Sequence, residues 1–142
     1  MTWWMYALLG AMTWGVHYNL VAKSMTVASP WTIYFIPNVL LLISLPFWYK
    51  VLAEDVQNII AATTEVRVSV FLMMFTSILG TVAVYKAIHM SNATFASLIE
   101  IAYPIFVAMF AYLIFRENHL SWEVAVGGAF IMVGTILVIF NS

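Results

Sequence analysis

The chain contains no cysteine and little charge. Of its 142 residues, five are Lys or Arg and six are Asp or Glu, so charged residues make up 8%. The missing cysteine excludes disulfides and thiolate metal sites and leaves the redox compartment open. The scarcity of charge excludes more. A soluble domain carries about 25% charged residues and about 45–50% apolar ones. Here 65% are hydrophobic and the mean hydropathy is +1.01. A soluble enzyme and a disordered chain are both disfavoured. So is a nucleic-acid binder, because a net charge of −1 offers no basic face to phosphates. His17, His89 and His119 lie far apart and show no ligand spacing, so neither a metal nor another cofactor is expected.

What is present is a series of long apolar runs. A spanning helix needs about 20 mostly apolar residues. Runs of that order occupy residues 3–22, 31–52, 68–88, 93–115 and 122–140. They are too long for the strands of a membrane barrel. The expected fold is therefore all-α: a polytopic membrane protein with five transmembrane helices. No Lys or Arg precedes the first run, which also carries His17 and Asn19, so it reads as a mature helix rather than a signal peptide. Residues 53–67 form the one long polar connection. Val56, Ile59 and Ile60 share a side there, opposite acids and amides. The stretch reads equally well as a short helix on the membrane surface or as a solvated loop. Pro30 suits a helix start. Pro37, Pro46 and Pro104 lie inside apolar runs, where each invites a kink.

The positive-inside rule barely decides the orientation. Lys50, Arg67 and Arg116 would share one side, and Lys23 and Lys86 the other. The slight preference is for the N-terminus inside. So close a balance equally permits insertion both ways, and with it an antiparallel homodimer.

Glu100 stands alone in the body of the fourth run. A charge at mid-membrane costs about 2.5–3.5 kcal/mol on insertion scales, so such a residue is expected to face a cavity or a partner. On a continuous helix its face reads Ala93, Ala96, Ser97, Glu100, Pro104, Val107, Ala108 and Ala111, nearly all small. Phe95, Leu98, Ile99, Phe106, Met109, Phe110 and Leu113 lie opposite. The pattern places lipid behind the helix and close-packed helices or a cavity in front. A carboxyl there that releases its proton when a cation arrives, and regains it when the cation leaves, would make an exchanger. The competing role is a Glu that only hydrogen-bonds a neighbouring helix.

Other polar and aromatic points could line the same path. They are His17 with Trp14 on its stripe, Asn38 one turn after Tyr34, Ser97, and Tyr103. Each is a candidate for substrate or proton binding, and each could instead be helix–helix glue or core packing. An aromatic wall around a cation is a physical match for Trp14, Tyr34, Tyr85 and Tyr103. Trp3, Trp4, Trp31, Trp48, Tyr49 and Trp122 sit at run ends, where aromatic belts belong. Gly127 and Gly134 share a face of the fifth run. That groove suits a close helix approach, either in a dimer or within the bundle.

Three stretches resemble the EamA domain of the drug/metabolite transporter superfamily. Trp14-Gly15-Val16-His17-Tyr18-Asn19-Leu20-Val21-Ala22-Lys23 is similar to the family's Trp-Gly-(polar)-Asn-(apolar)-Lys opening. Tyr85-Lys86-Ala87-Ile88, followed by Asn92-Ala93-Thr94-Phe95-Ala96-Ser97-Leu98, resembles its Tyr-x-Ala-Leu…Ala-Ala-Ser-Leu run. Tyr103-Pro104-Ile105-Phe106 leads through Arg116-Glu117-Asn118-His119-Leu120-Ser121 to Gly127 and Gly134. That resembles the Pro-(apolar)-Phe…Glu-x-Leu-(Ser/Thr)…Gly…Gly ending.

The match covers essentially the whole chain and implies a single domain over residues 1–142. It implies transport rather than catalysis, with small metabolites or drug-like molecules as substrates; the cations among them are suggested by Glu100 and the aromatic wall, not by the resemblance. Larger members carry two inverted five-helix halves. This chain supplies one half-transporter bundle, which implies a homodimer. The family pattern fixes no residue like Glu100, so proton exchange there rests on the residues alone. Glu117 matches the family's Glu and reads as structural. The expected partners are a small-molecule substrate, protons, the lipid bilayer and a second copy. The expected location is the inner (plasma) membrane of a prokaryote. A proton-independent facilitator and a non-transporting membrane subunit that binds a partner stay open as alternatives.

Overall fold

The computed structural model describes residues 2–118 and 121–140. Among them there is helix and no strand. The elements are α1 (Trp3–Ser24), α2 (Pro30–Ala61), α3 (Thr64–Met90), α4 (Ala93–Glu100) and α5 (Tyr103–Phe110). A π-helical turn, Ala111–Phe115, continues α5, and α6 (Trp122–Phe140) follows. Four stretches are long and apolar enough to cross a membrane: α2, α3, Ala93–Phe115 as a whole, and α6. α1 has the length, 22 residues, but His17, Tyr18 and Asn19 dilute its apolar character.

The caps explain several boundaries. Ser29 Oγ accepts the Thr32 N–H at 3.3 Å, and Pro30 opens α2, where its missing N–H costs nothing. Asn92 Oδ1 accepts the Phe95 N–H at 2.9 Å and starts α4. Pro37 and Pro46 lie inside α2 without ending it.

The polar stretch at 53–67 forms neither a separate short helix nor a loop. Residues 53–61 continue α2, residues 64–67 open α3, and Ala62 and Thr63 alone lie between. α2 therefore runs for 32 residues. Nothing after Pro46 breaks it, since Ala, Glu, Gln and Leu all favour helix. It stops where Ala62 turns extended and its N–H bonds the Ile59 carbonyl at 3.2 Å. Thr63 Oγ1 then accepts the Val66 N–H at 3.4 Å to start α3. Loss of hydropathy marks where lipid ends, whereas the backbone ladder continues until a cap stops it.

The chain divides into two compact units. Residues Leu20–His89 form one, and its buried side chains are Val21, Met25, Ile33, Tyr85 and Ile88. They come from the end of α1 and the turn after it, the start of α2 and the end of α3. Met1–Asn19 with Met90–Ser142 forms the other. There α4 packs against α6, and Ala93, Ala96, Ala102 and Thr135 are buried. Small side chains at such a contact let two backbones approach closely. Most large apolar side chains lie on the outside, as lipid requires.

Candidate functional site

Glu100 is the last residue of α4. The fourth span is not the single helix that its hydropathy predicts. It breaks at Ile101–Ala102 and resumes at Tyr103. Pro104 supplies the cause. It lacks the N–H that would bond the carbonyl four residues back, which is that of Glu100, and its ring crowds the same carbonyl. The neighbouring bonds tighten accordingly. Ala102 N–H bonds the Ile99 carbonyl and Ile105 N–H bonds the Ala102 carbonyl, both three residues back at 3.1 Å. Ile101 N–H keeps its helical partner, the Ser97 carbonyl, at 3.0 Å.

The break shifts the phase of the inward face. Ahead of it, Ala93 and Ala96 are buried and Ser97 and Glu100 half-buried, as expected. Beyond it, Ala102 is buried and Ile105, Ala108 and Ala111 are half-buried. Pro104 and Val107, expected to face inward, are exposed. The continuous-helix expectation holds again at Ala108 and Ala111 but fails at Pro104 and Val107, in whose place Ala102 and Ile105 are the covered residues. The π turn ends on Arg116, which is left-handed (φ 60) and donates its N–H to the Ala111 and Tyr112 carbonyls. That conformation terminates helices because it turns the chain without losing the last carbonyls' partners.

A groove of about 730 Å³ runs between α5 with its π turn and α6. Ile105, Met109 and Tyr112 form one wall, and Gly127, Gly128 and Met132 the other. Its character is apolar. At Gly128 the helices are close: a Cβ there would stand 3.7 Å from Ile105 Cγ1. A Cβ on Gly127 or Gly134 would meet nothing within 4 Å. Glu100 is not in the wall, but Pro104, four residues on, is.

Of the other candidates, Trp14, His17, Ser97 and Tyr103 fall in the same unit as Glu100. Tyr34 and Asn38 fall in the other. Trp14 and His17 meet edge to face with ring centroids 5.0 Å apart, and Tyr18 lies 5.5 Å from Trp14. His17 is half-buried, whereas Trp14 and Tyr103 are exposed. The polar side chains turn back on their own helices. Asn38 Nδ2 donates to the Tyr34 carbonyl at 2.6 Å, Ser97 Oγ to Thr94 at 3.0 Å, and Asn19 Nδ2 to Gly15 at 2.9 Å. Such back-bonding satisfies a polar group in lipid without a second helix.

Nothing in the sequence marks Thr135. It is buried in α6, and its hydroxyl has no hydrogen-bond partner among the described residues. One isolated Thr in an apolar run carries no signal of that kind. An unsatisfied buried hydroxyl costs about 1–3 kcal/mol. Thr135→Val keeps the shape and removes the hydroxyl, so it should raise the melting temperature of the detergent-solubilised protein. Thr135→Ala leaves a cavity and should not. A lower melting temperature for Thr135→Val would show that the hydroxyl is satisfied.

Comparison with curated proteins and with solved structures found no match. The model of the EamA-like transporter family matches residues 1–140, the span over which the three motif stretches lie. With its helical architecture and four membrane-crossing stretches, the chain belongs to the EamA-like transporter family.

Proposed function

We propose that this chain is a homodimeric secondary transporter of small metabolites or drug-like molecules, including cations, with proton exchange at Glu100. The carrying observation is the position of Glu100, at the interruption of a membrane-crossing segment whose next residues line an apolar groove. Irregular backbone at membrane depth is tolerated where protein buries it or a water-filled cavity meets it. Interrupted helices form the ion and substrate sites of many transporters. A groove of about 730 Å³ lies within the roughly 300–1,000 Å³ of small-molecule sites. It would take the apolar body of a substrate, while the carboxylate would meet a positive head group.

The exchange is a competition for one carboxylate. A cation arriving at Glu100 displaces its proton to the near side. When the cation leaves on the far side, a proton from that side takes its place. One bundle supplies half of a pathway that forms between repeats, so a second copy completes it. The plasma membrane of a prokaryote is the proposed setting.

The test is flux in liposomes containing the purified chain alone, with an aromatic quaternary ammonium as probe. An imposed pH gradient should drive its counterflow. Flux that ignores the gradient would instead identify a facilitator. No flux without an added protein partner would identify a non-transporting subunit.

A further inference from the structure

We infer that the break in the fourth span binds a small monovalent cation, Na+, through the Glu100 carboxylate and main-chain carbonyls that the break has deprived of helical donors. This deepens the reading of Glu100 as an exchange site and rests on it, by naming an inorganic ion for the same carboxylate.

In an unbroken helix the carbonyls of Leu98, Glu100 and Ile101 would accept from residues 102, 104 and 105. Ala102 and Ile105 give their N–H groups to Ile99 and Ala102 instead. Pro104 has none to give. Three carbonyl oxygens within four residues thus lose the donors that a helix provides. They do so inside Ala93–Phe115, a stretch apolar enough to cross a membrane. There each main-chain oxygen needs a partner, because lipid offers none.

The electrostatics have one sign. The C-terminal end of α4 carries the partial negative charge of its aligned peptides, and Glu100 adds a carboxylate at that same end. Two negative features stabilise neither each other nor the break. A cation placed among them stabilises both. The chain offers no basic side chain nearby in sequence: no Lys, Arg or His occurs between His89 and Arg116. Carbonyl and carboxylate oxygens are hard ligands, suited to alkali and alkaline-earth ions rather than to soft metals. A single carboxylate balances a single positive charge. Among the described residues no group of three His, Cys, Asp or Glu side chains could hold a metal ion. The site therefore depends on the backbone, which is why Pro104 matters to it.

The experiment compares the full-length purified chain in NaCl and in choline chloride at equal ionic strength. It reads thermal unfolding and equilibrium binding of radiolabelled Na+. The wild-type chain should bind Na+ saturably, and NaCl should raise its melting temperature by mass action. Glu100→Gln should weaken binding by about tenfold or more, and Pro104→Ala, which returns an N–H to the Glu100 carbonyl while keeping the carboxylate, should do the same. Absence of saturable binding in the wild type would overturn the inference. So would binding that survives either substitution. If Pro104→Ala does not fold, Glu100→Gln decides alone. The two readings fail separately. Gradient-driven flux without Na+ binding removes only the Na+ site, and Na+ binding without gradient-driven flux removes only the proton exchange.

Discussion

Glu100→Gln is expected to reduce pH-gradient-driven transport to the background of empty liposomes while leaving the fold intact. Gln has the same shape and length and loses only the exchangeable proton. In an apolar span a neutral amide is cheaper to hold than a charge, by up to the roughly 2.5–3.5 kcal/mol that insertion scales assign to a mid-membrane carboxylate. The melting temperature should therefore hold or rise. Loss of transport with retained stability separates a functional carboxyl from one that only packs. Glu100→Asp keeps a titratable group one methylene further back and should keep coupling at a reduced rate. If Glu100→Gln retains full coupling, the exchange mechanism is wrong and the residue is structural.

The second large effect concerns the glycine that α6 presents to α5. A methyl at Gly128 would sit 3.7 Å from Ile105 Cγ1, an ordinary contact, so Gly128→Ala should be tolerated. Gly128→Leu adds carbons that must push Ile105 aside or fill the groove. Overpacking of that kind costs about 1–3 kcal/mol, and the melting temperature should fall by several degrees. Gly127→Leu is the informative contrast, because a Cβ there meets nothing within 4 Å. Its side chain should enter the groove, leave the melting temperature nearly unchanged and block the transported molecule. Equal stability of the Gly127 and Gly128 leucine variants would contradict the helix contact. Undiminished flux in Gly127→Leu would remove the groove from the pathway.

The sequence made the membrane-crossing architecture legible because burial in lipid writes itself into long apolar runs. It was silent where hydropathy and hydrogen bonding part company. α2 continues through Glu54, Asp55, Gln57 and Asn58 because a helix needs donors and caps, not grease, to go on. Pro104 was visible as a kink. Its consequence for Glu100 follows from the four-residue offset of the helical ladder, whereas the face beyond it does not continue as it would on a whole helix. Val107 consequently points outward and Ile105 inward. The polar candidates show a different limit. Asn38 and Ser97 satisfy themselves on their own helices, a matter of rotamer that composition does not record. The groove joins residues from two segments separated by a turn, and no periodicity within either predicts its width.

The long α2 also bears on orientation. Trp48, Tyr49 and Lys50 are the kind of residues that settle at a lipid–water boundary, and residues 51–61 then continue for about 16 Å of helix. The corner at Ala62–Thr63 is thus the polar link between two helices that are each long and apolar enough to cross a membrane. Because the chain has no cysteine of its own, one thiol engineered at that corner would be its sole reactive handle. A reagent unable to cross membranes would then tag every molecule, none, or about half. Those outcomes distinguish a chain inserted one way, the opposite way, or both, which the near-equal division of Lys and Arg leaves undecided.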